Sequence, residues 1–271
     1  MKTIAHISDA HFGAHDSTIA SKLLDELNRG EYDVVVVSGD MTQRGRVDQF
    51  QAAAMWLDQL TAPVLIVPGN HDVPLYDIYT RFLHPRDRYL AHICDDLEPT
   101  YFDSELAICG IDTTKTFTTK HGRVTDEQVA HIATKLANLA GRWKIVVAHH
   151  PFIVPAGREA ERVDGAAMAL PVFAEAGVDM ILTGHLHTLS VAGRDEGHSI
   201  LAVQAGTCMS TRTRGESQSY NRLRFDGERV EILQRMWDGG RFNDAACKSY
   251  ERRTSGEHMV KVAKRAAEAT A

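Results

Sequence analysis

The chain has 271 residues, 44% of them hydrophobic and 24% charged, with a formal net charge of -6. That composition is globular and long enough for a large core in one domain or two, while the negative balance argues against nucleic acid or anionic membrane as a general partner. The cysteines, Cys94, Cys109, Cys208 and Cys247, form no CxxC pair and read as reduced thiols, and no apolar stretch reaches the ~18 residues of a membrane span. With no leader-like segment in the first residues, the expected location is cytoplasmic.

In chain order, Ile4 to Ser8 reads as a buried strand that ends in Asp9-Ala-His11. Ser17 to Leu27 has helical spacing at Ile19, Leu23, Leu24 and Leu27, with Ser17 as the expected N-cap and Gly30 as the stop. Asp33 to Val37 is a continuous β-branched run of the kind that sits in a sheet covered on both faces, and it ends in Ser38-Gly39-Asp40. Arg46 to Leu60 is helical, and Pro63 to Val67 is a third buried strand ending in Gly69-Asn70-His71-Asp72.

Leu75 to Ile93 reads as helix interrupted near Pro85, and Thr100–Phe102 and Leu106–Ile111 as paired strands. Thr113 to Gly122 is a polar loop. Thr125 to Leu139 is a helix opened by a capping box, in which Thr125 and Gln128 satisfy each other's backbone amides. Lys144 to Ala148 is a strand ending in His149-His150-Pro151, and Ala166 to Ala176 a helix. Val178 to Leu182 is a strand ending in Thr183-Gly184-His185-Leu186-His187. Short strands at Leu189–Ala192, Ser199–Val203, Tyr220–Phe225 and Val230–Met236 then point to hairpins. Residues 239–271 are less patterned. They are expected to be an extension of a 1–238 domain, serving as a cap, a dimer contact or a tail, with His258 to Ala269 either a polar helix or a frayed end.

Strand alternating with helix means α/β with largely parallel strands in the first part. Functional residues in such folds gather beyond the carboxyl ends of the strands. Here those ends carry ligand-type residues one after another: Asp9 and His11, Asp40, Asn70 with His71, His149 with His150, His185 and His187. Each motif has an ordinary reading as a turn, since turns favour Gly, Asp and Asn. Their succession in one chain is what points to metal. Histidine with carboxylate suits Mn, Fe, Zn or Co better than Ca or Mg, and Asn adds a neutral oxygen. Gly39, Gly69 and Gly184 stand directly before ligand-type residues, where the backbone is expected to turn sharply.

These ordered motifs resemble the calcineurin-like metallophosphoesterase superfamily, over Ile4 to His187. The resemblance implies a four-layer αββα sandwich of two mixed β-sheets flanked by helices, with a dinuclear metal site at the strand ends. One metal would take Asp9, His11, Asp40 and His187, the other Asp40, Asn70, His149 and His185, with Asp40 bridging. His71 would not be a ligand, and would contact the phosphate or protonate the leaving group. A hydroxide between two divalent or mixed-valence transition metal ions would attack phosphorus.

The early Asp-Ala-His and the Gly-Asn-His-Asp are similar to those of bacterial class III cyclic nucleotide phosphodiesterases and glycerophosphodiesterases. The expected activity is therefore metal-dependent hydrolysis of small phosphodiesters. A phosphomonoesterase on nucleotides or phospholipid-derived substrates is the alternative within the superfamily. A non-catalytic, metal-stabilised interaction module is the alternative of another class, opposed by the complete ligand set and His71. Around this set, His150 reads as a support for the ligands. Arg44 reads either as a loop charge or as a phosphate contact, Arg212 and Arg214 either as loop charges or as contacts to a phosphate or carboxylate, and Asp72 as an orienter of His71 or a turn cap. The loops Thr113–Gly122, Phe152–Gly165 and Thr207–Ser219 are the candidates for reading substrate. Trp237, Phe242 and Tyr250 motivate a homodimer or higher homo-oligomer through the C-terminal extension.

Overall fold

The computed structural model describes residues 1–118, 120–192, 200–252 and 260–262. The first sheet grows from three parallel strands, β1 (Lys2–Ile7), β2 (Val34–Val37) and β3 (Val64–Ile66). Helix α1 (Ser17–Arg29) joins the first two and α2 (Val47–Leu57) the second and third. After the short helices α3 (Ile78–Leu83) and α4 (Asp87–His92), the chain lays down β4 (Thr100–Phe102) and β5 (Leu106–Gly110). Then come α5 (Asp126–Ala137), β6 (Trp143–Val147), α6 (Ala166–Glu175) and β7 (Met180–Thr183). Strands β8 (Ser190–Ala192) and β9 (Leu201–Gln204) complete the second sheet. The chain returns to the first with β10 (Ser219–Asp226), β11 (Arg229–Trp237), β12 (Phe242–Glu251) and β13 (Val260–Val262).

The seven-stranded sheet runs β13-β12-β11-β10-β1-β2-β3, and the six-stranded sheet β4-β5-β6-β7-β9-β8. Both are mixed. β10 pairs antiparallel with β1, and β4 and β8 are antiparallel edges on an otherwise parallel second sheet.

Alternation along the strands builds the layers. Val34 and Val36 join Ile4 and Leu65 in a core between the sheets, against Ile108, Ile145, Val147 and Leu182. Val35 and Val37 face the other way, onto Ile19, Leu23 and Leu27 of α1 and Ala53 and Trp56 of α2. On the far side, Val146 and Ile181 meet Val129 and Ile132 of α5 and Phe173 of α6. Each aliphatic side chain buried this completely contributes about 1.5–3 kcal/mol. The αββα sandwich and its two mixed sheets are as expected. The packing brings the carboxyl ends of β1, β2, β3, β6 and β7 to one edge.

Some local expectations are corrected. Asp16, not Ser17, caps α1, because its carboxylate accepts from the amides of Thr18 and Ile19. An aspartate one residue outside the helix reaches two orphan donors that a serine inside it does not. Residues beyond Gly239, expected to be weakly patterned, contain β12, which pairs along β11 with one register shift at Gln234/Arg235. Of the helix or frayed end expected for His258–Ala269, Val260–Val262 is strand, and residues 258–259 and 263–269 lie outside the described residues. Phe242 and Tyr250 are buried within the chain, Phe242 against Tyr220 and Trp237. They offer no aromatic surface for an interface.

Candidate metal centre

The site is assembled from turns that leave the strands and bend at once. Asp9, His11, Asp40, His185 and His187 all have positive φ, between 50° and 70°, and they are the non-glycine residues with positive φ among those described. L-residues avoid this region, and strain of this kind persists only where the surroundings enforce it. The surroundings here are hydrogen bonds between neighbouring turns. The Asp9 amide donates to the Gly39 carbonyl and the His11 amide to the Asp40 carbonyl. The His71 amide donates to Asp40 Oδ1 at 2.8 Å and the His185 amide to Asp9 Oδ2 at 2.9 Å.

Gly39 has φ +88° and turns as expected. Gly69 and Gly184 have another reason to be glycine, close approach. A Cβ on Gly69 would lie 2.1 Å from Asp40 Oδ1, and one on Gly184 1.8 Å from Ser8 Oγ.

All of the expected ligand residues converge. On one side, His187 Nε2 lies 3.0 Å from Asp9 Oδ1 and 3.2 Å from His11 Nε2. On the other, Asn70 Oδ1 lies 3.0 Å from His149 Nε2 and 3.1 Å from His185 Nδ1. Asp40 Oδ2 stands between, 3.7 Å from His11 Nε2 and 3.4 Å from His149 Nε2. Asp9, His11 and His149 are fully buried, and Asp40 almost so.

Ring orientation is set from behind. Nδ1–H of His149 donates to the Ser38 carbonyl at 2.8 Å and that of His187 to the Arg212 carbonyl at 2.8 Å. A nitrogen so committed leaves its Nε2 lone pair facing the site. Facing lone pairs repel, and Asp9 Oδ1 is buried with no hydrogen-bond partner among the described residues. Both facts fit a cation among these donors, as does the grouping of Asp9, His11 and His187 and of Asp9, Asp40 and His149 within metal-ligand reach.

The charges respond to this crowding. Burial by itself raises the Asp9 carboxyl, but His187 and His11, with a smaller push from His149, hold it well below the usual range. Asp40 is lowered in the same way against burial, chiefly by His149, His71 and His11. His185 is pushed down to about 3 by burial and by His149. His187 goes the other way: burial is overcome by Asp9, and its pKa is raised.

His71 stands beside the donors. Its Nδ1 hydrogen-bonds the Gln43 carbonyl at 2.8 Å, and Arg212 Nη1 donates to its Nε2 at 3.3 Å. Burial, with His11 and Arg212, lowers its pKa against the pull of Asp40. Asp72 does not orient it. The Asp72 carboxylate accepts from the amides of Gly69, Met41 and Thr42 and from the Thr42 hydroxyl, and so ties the Asp40 turn to the Asn70 turn. Burial and Asp40 raise Asp72 to about 6.

His150 is buried behind His149 and His185, within metal-ligand reach of both. Its Nδ1 meets Thr113 Oγ1 at 2.7 Å. The sequence pointed to the Thr113–Gly122 loop without singling out Thr113 or Lys120 within it, and gave no sign of Gln43. Each lies on a loop whose approach to the site depends on tertiary packing. Lys120, His121, Arg212 and Arg214 rim a cavity of about 230 Å³ over Asp40, His185 and His187.

The layered α/β sandwich thus gathers buried imidazoles and carboxylates at one edge, within metal-ligand reach of one another. Residues 2–189 match the family model of the calcineurin-like phosphoesterases, and the chain belongs to that family. The glycerophosphodiester phosphodiesterase GpdQ of Enterobacter lignolyticus is 30% identical over 159 residues, which cover 55% of this chain and 56% of that protein. The 3',5'-cyclic adenosine monophosphate phosphodiesterase CpdA of Escherichia coli K12 is 25% identical over 169 residues, covering 58% of this chain and 55% of that protein. The matches thus span just over half the length of these relatives. In fold, the chain is similar to the purple acid phosphatase PPD1 of yellow lupin, with a TM-score of 0.66 and 13% identity over 92% of this chain and 53% of that one. Among the described residues, no helix is long and apolar enough to cross a membrane.

Proposed function

We propose that the chain hydrolyses small phosphodiesters, using two transition metal ions (Mn, Fe, Zn or Co) held at the strand ends. Asp9, His11 and His187 would hold one and Asn70, His149 and His185 the other, with Asp40 shared. The observation that carries the reading is the position of Asp40 Oδ2, within 3.7 Å of His11 on one side and 3.4 Å of His149 on the other. Bound there, such a pair neutralises phosphate oxygens and acidifies water.

The chain's own residues do the rest. The carbonyls of Ser38 and Arg212 hold His149 and His187 with their lone pairs inward, so both rings are already oriented to hold a cation. Lys120, Arg212 and Arg214 at the rim draw an anionic ester into the cavity. His71 meets the leaving oxygen through Nε2. Because Nε2 accepts from Arg212, proton donation requires Arg212 to turn onto the phosphate while the ring takes up a proton. The relatives named for glycerophosphodiesters and cyclic AMP favour a diester over a monoester.

The test is turnover of bis-p-nitrophenyl phosphate, p-nitrophenyl phosphate and 3',5'-cyclic AMP by protein loaded with each metal in turn. Diester hydrolysis is expected. Monoester hydrolysis without diester hydrolysis would overturn the reading, and no turnover with any metal would make the chain a binding module.

A further inference from the structure

Adjoining the cavity over the metal donors, with His71 in the lining of both, is a second lobe of about 180 Å³, lined in part by Arg44, Arg81, Lys120, Arg212, Val73 and Leu75. Asn70, His71, Lys120 and Arg212 form the wall shared by the two lobes. Arg44 and Arg81 line only the second. Among the described residues, no carboxylate lines this lobe. In the first lobe, by contrast, Glu161 lies beside Arg214 at 3.8 Å.

The charges are unusual for this chain, in which Asp and Glu outnumber Lys and Arg by 36 to 30. Nearby arginines have carboxylate partners: Arg86 pairs with Asp112 at 2.7 Å and Arg158 with Glu161 at 2.9 Å. Among the described residues, Arg44, Arg81, Lys120 and Arg212 have none. Arg81 is the telling case, because it is only 6% exposed. Its guanidinium donates to the carbonyls of Pro74 and Thr118, which fixes its position without neutralising its charge. A buried cation without a counter-ion is costly, and an anion that enters beside it recovers much of that cost. Arg44 lies over the Tyr76 ring, 5.7 Å from its centroid, and is likewise held without a carboxylate.

The scissile phosphate, seated over Asp40, His185 and His187, can satisfy Lys120 and Arg212 on the shared wall. Arg44 and Arg81 face space beyond His71, the side on which the leaving group departs. We infer that the second lobe is a subsite for a second anionic group, so that the preferred substrate is a phosphodiester whose leaving alcohol carries a carboxylate or phosphate-like oxyanion. This rests on the phosphodiester reading for the orientation of the substrate, and on the lobe's own residues for the charge.

The probes are the methyl phosphodiesters of 4-hydroxybenzoate, 4-hydroxyphenylphosphonate and 4-hydroxybenzamide, which share a para-substituted phenyl leaving group and differ in charge at its far end, the carboxylate and amide being isosteric. Affinity for the metal-loaded protein is read by calorimetry, and kcat/KM alongside it. Both anionic probes, or one of them, are expected to bind about tenfold or more tighter than the amide. In Arg44→Gln that ratio is expected to fall to within about threefold, with metal content unchanged. The amide is the better leaving group of the carboxylate–amide pair, so a kinetic preference for the carboxylate cannot come from bond strength. Equal affinity for all three, or a preference that persists in Arg44→Gln, would overturn the subsite. If the anionic probes bind selectively but only monoesters turn over, the diester reading falls and the subsite stands. If all three diesters turn over with equal affinity, the reverse holds.

Discussion

His185 and His187 lie on one turn, two positions apart, yet their environments push them in opposite directions. His187 faces the Asp9 carboxylate and is raised, whereas His185 is buried against another imidazole, His149, and falls to about 3. The contrast extends to the two donor groups they belong to. Asp9, His11 and His187 carry a carboxylate of their own, while Asn70, His149 and His185 are neutral and depend on Asp40 for charge. A cation entering the first group meets two carboxylates, and one entering the second meets a single shared one. The first group is therefore expected to bind the more tightly.

The largest effect should come from removing what the two groups share. Asp40→Ala is expected to lose metal from both and to lower kcat/KM by more than about a hundredfold, since even an outer-shell change costs 10–100-fold. Metal analysis of the purified variant with initial rates checks this, and retention of a full complement would refute the sharing. His71→Ala should keep its metal yet lose about 10²–10⁴ in rate, more with poor leaving groups. A variant that loses metal instead would make His71 a ligand.

His11→Ala sharpens the comparison between the groups. It should weaken metal at the first group and leave the second within about threefold. A metal titration with both steps shifted alike would mean that the groups act as one unit.

A smaller effect is expected from His6, a histidine outside both groups. It is fully buried, hydrogen-bonded to Ser38 Oγ at 2.9 Å, and burial lowers its pKa to about 3. The unfolded chain takes up a proton at His6 near pH 6.5, while the folded chain does so only near 3. Stability from this group is complete above pH 6.5 and is lost as pH falls from there towards 3. Denaturant unfolding of His6→Gln between pH 4 and 7 should show a slope reduced by about one proton relative to the parent. An unchanged slope would show that His6 is already protonated when folded.

How much of this was legible in the sequence differs from residue to residue. Val34 to Val37 had to be a buried strand, because an unbroken β-branched run has nowhere else to put its side chains. The capping box at Thr125 and Gln128 is local chemistry and forms as read. The ligand-type residues were visible because each closes a strand. The N-cap at Asp16 and strand β12 were less visible. The first turns on which carboxylate reaches the helix amides, the second on a partner strand, since Asp244 to Cys247 is exposed and shows no clear alternation.

The order of strands and motifs along the chain was thus enough to specify a layered α/β protein with ligand-type residues at one edge. The resemblance already implied how they divide; the tertiary structure supplies the contacts, with His187 beside Asp9 and His185 beside Asn70, and the reason they meet, which is backbone held at positive φ by contacts between distant turns. It also decided that Gly69 and Gly184 are needed for close approach, that Asp72 braces the turns and does not orient His71, and that Arg44 and Arg81 share a lobe with Arg212. Such relations are set by which surfaces pack together, and no local pattern of residues encodes them.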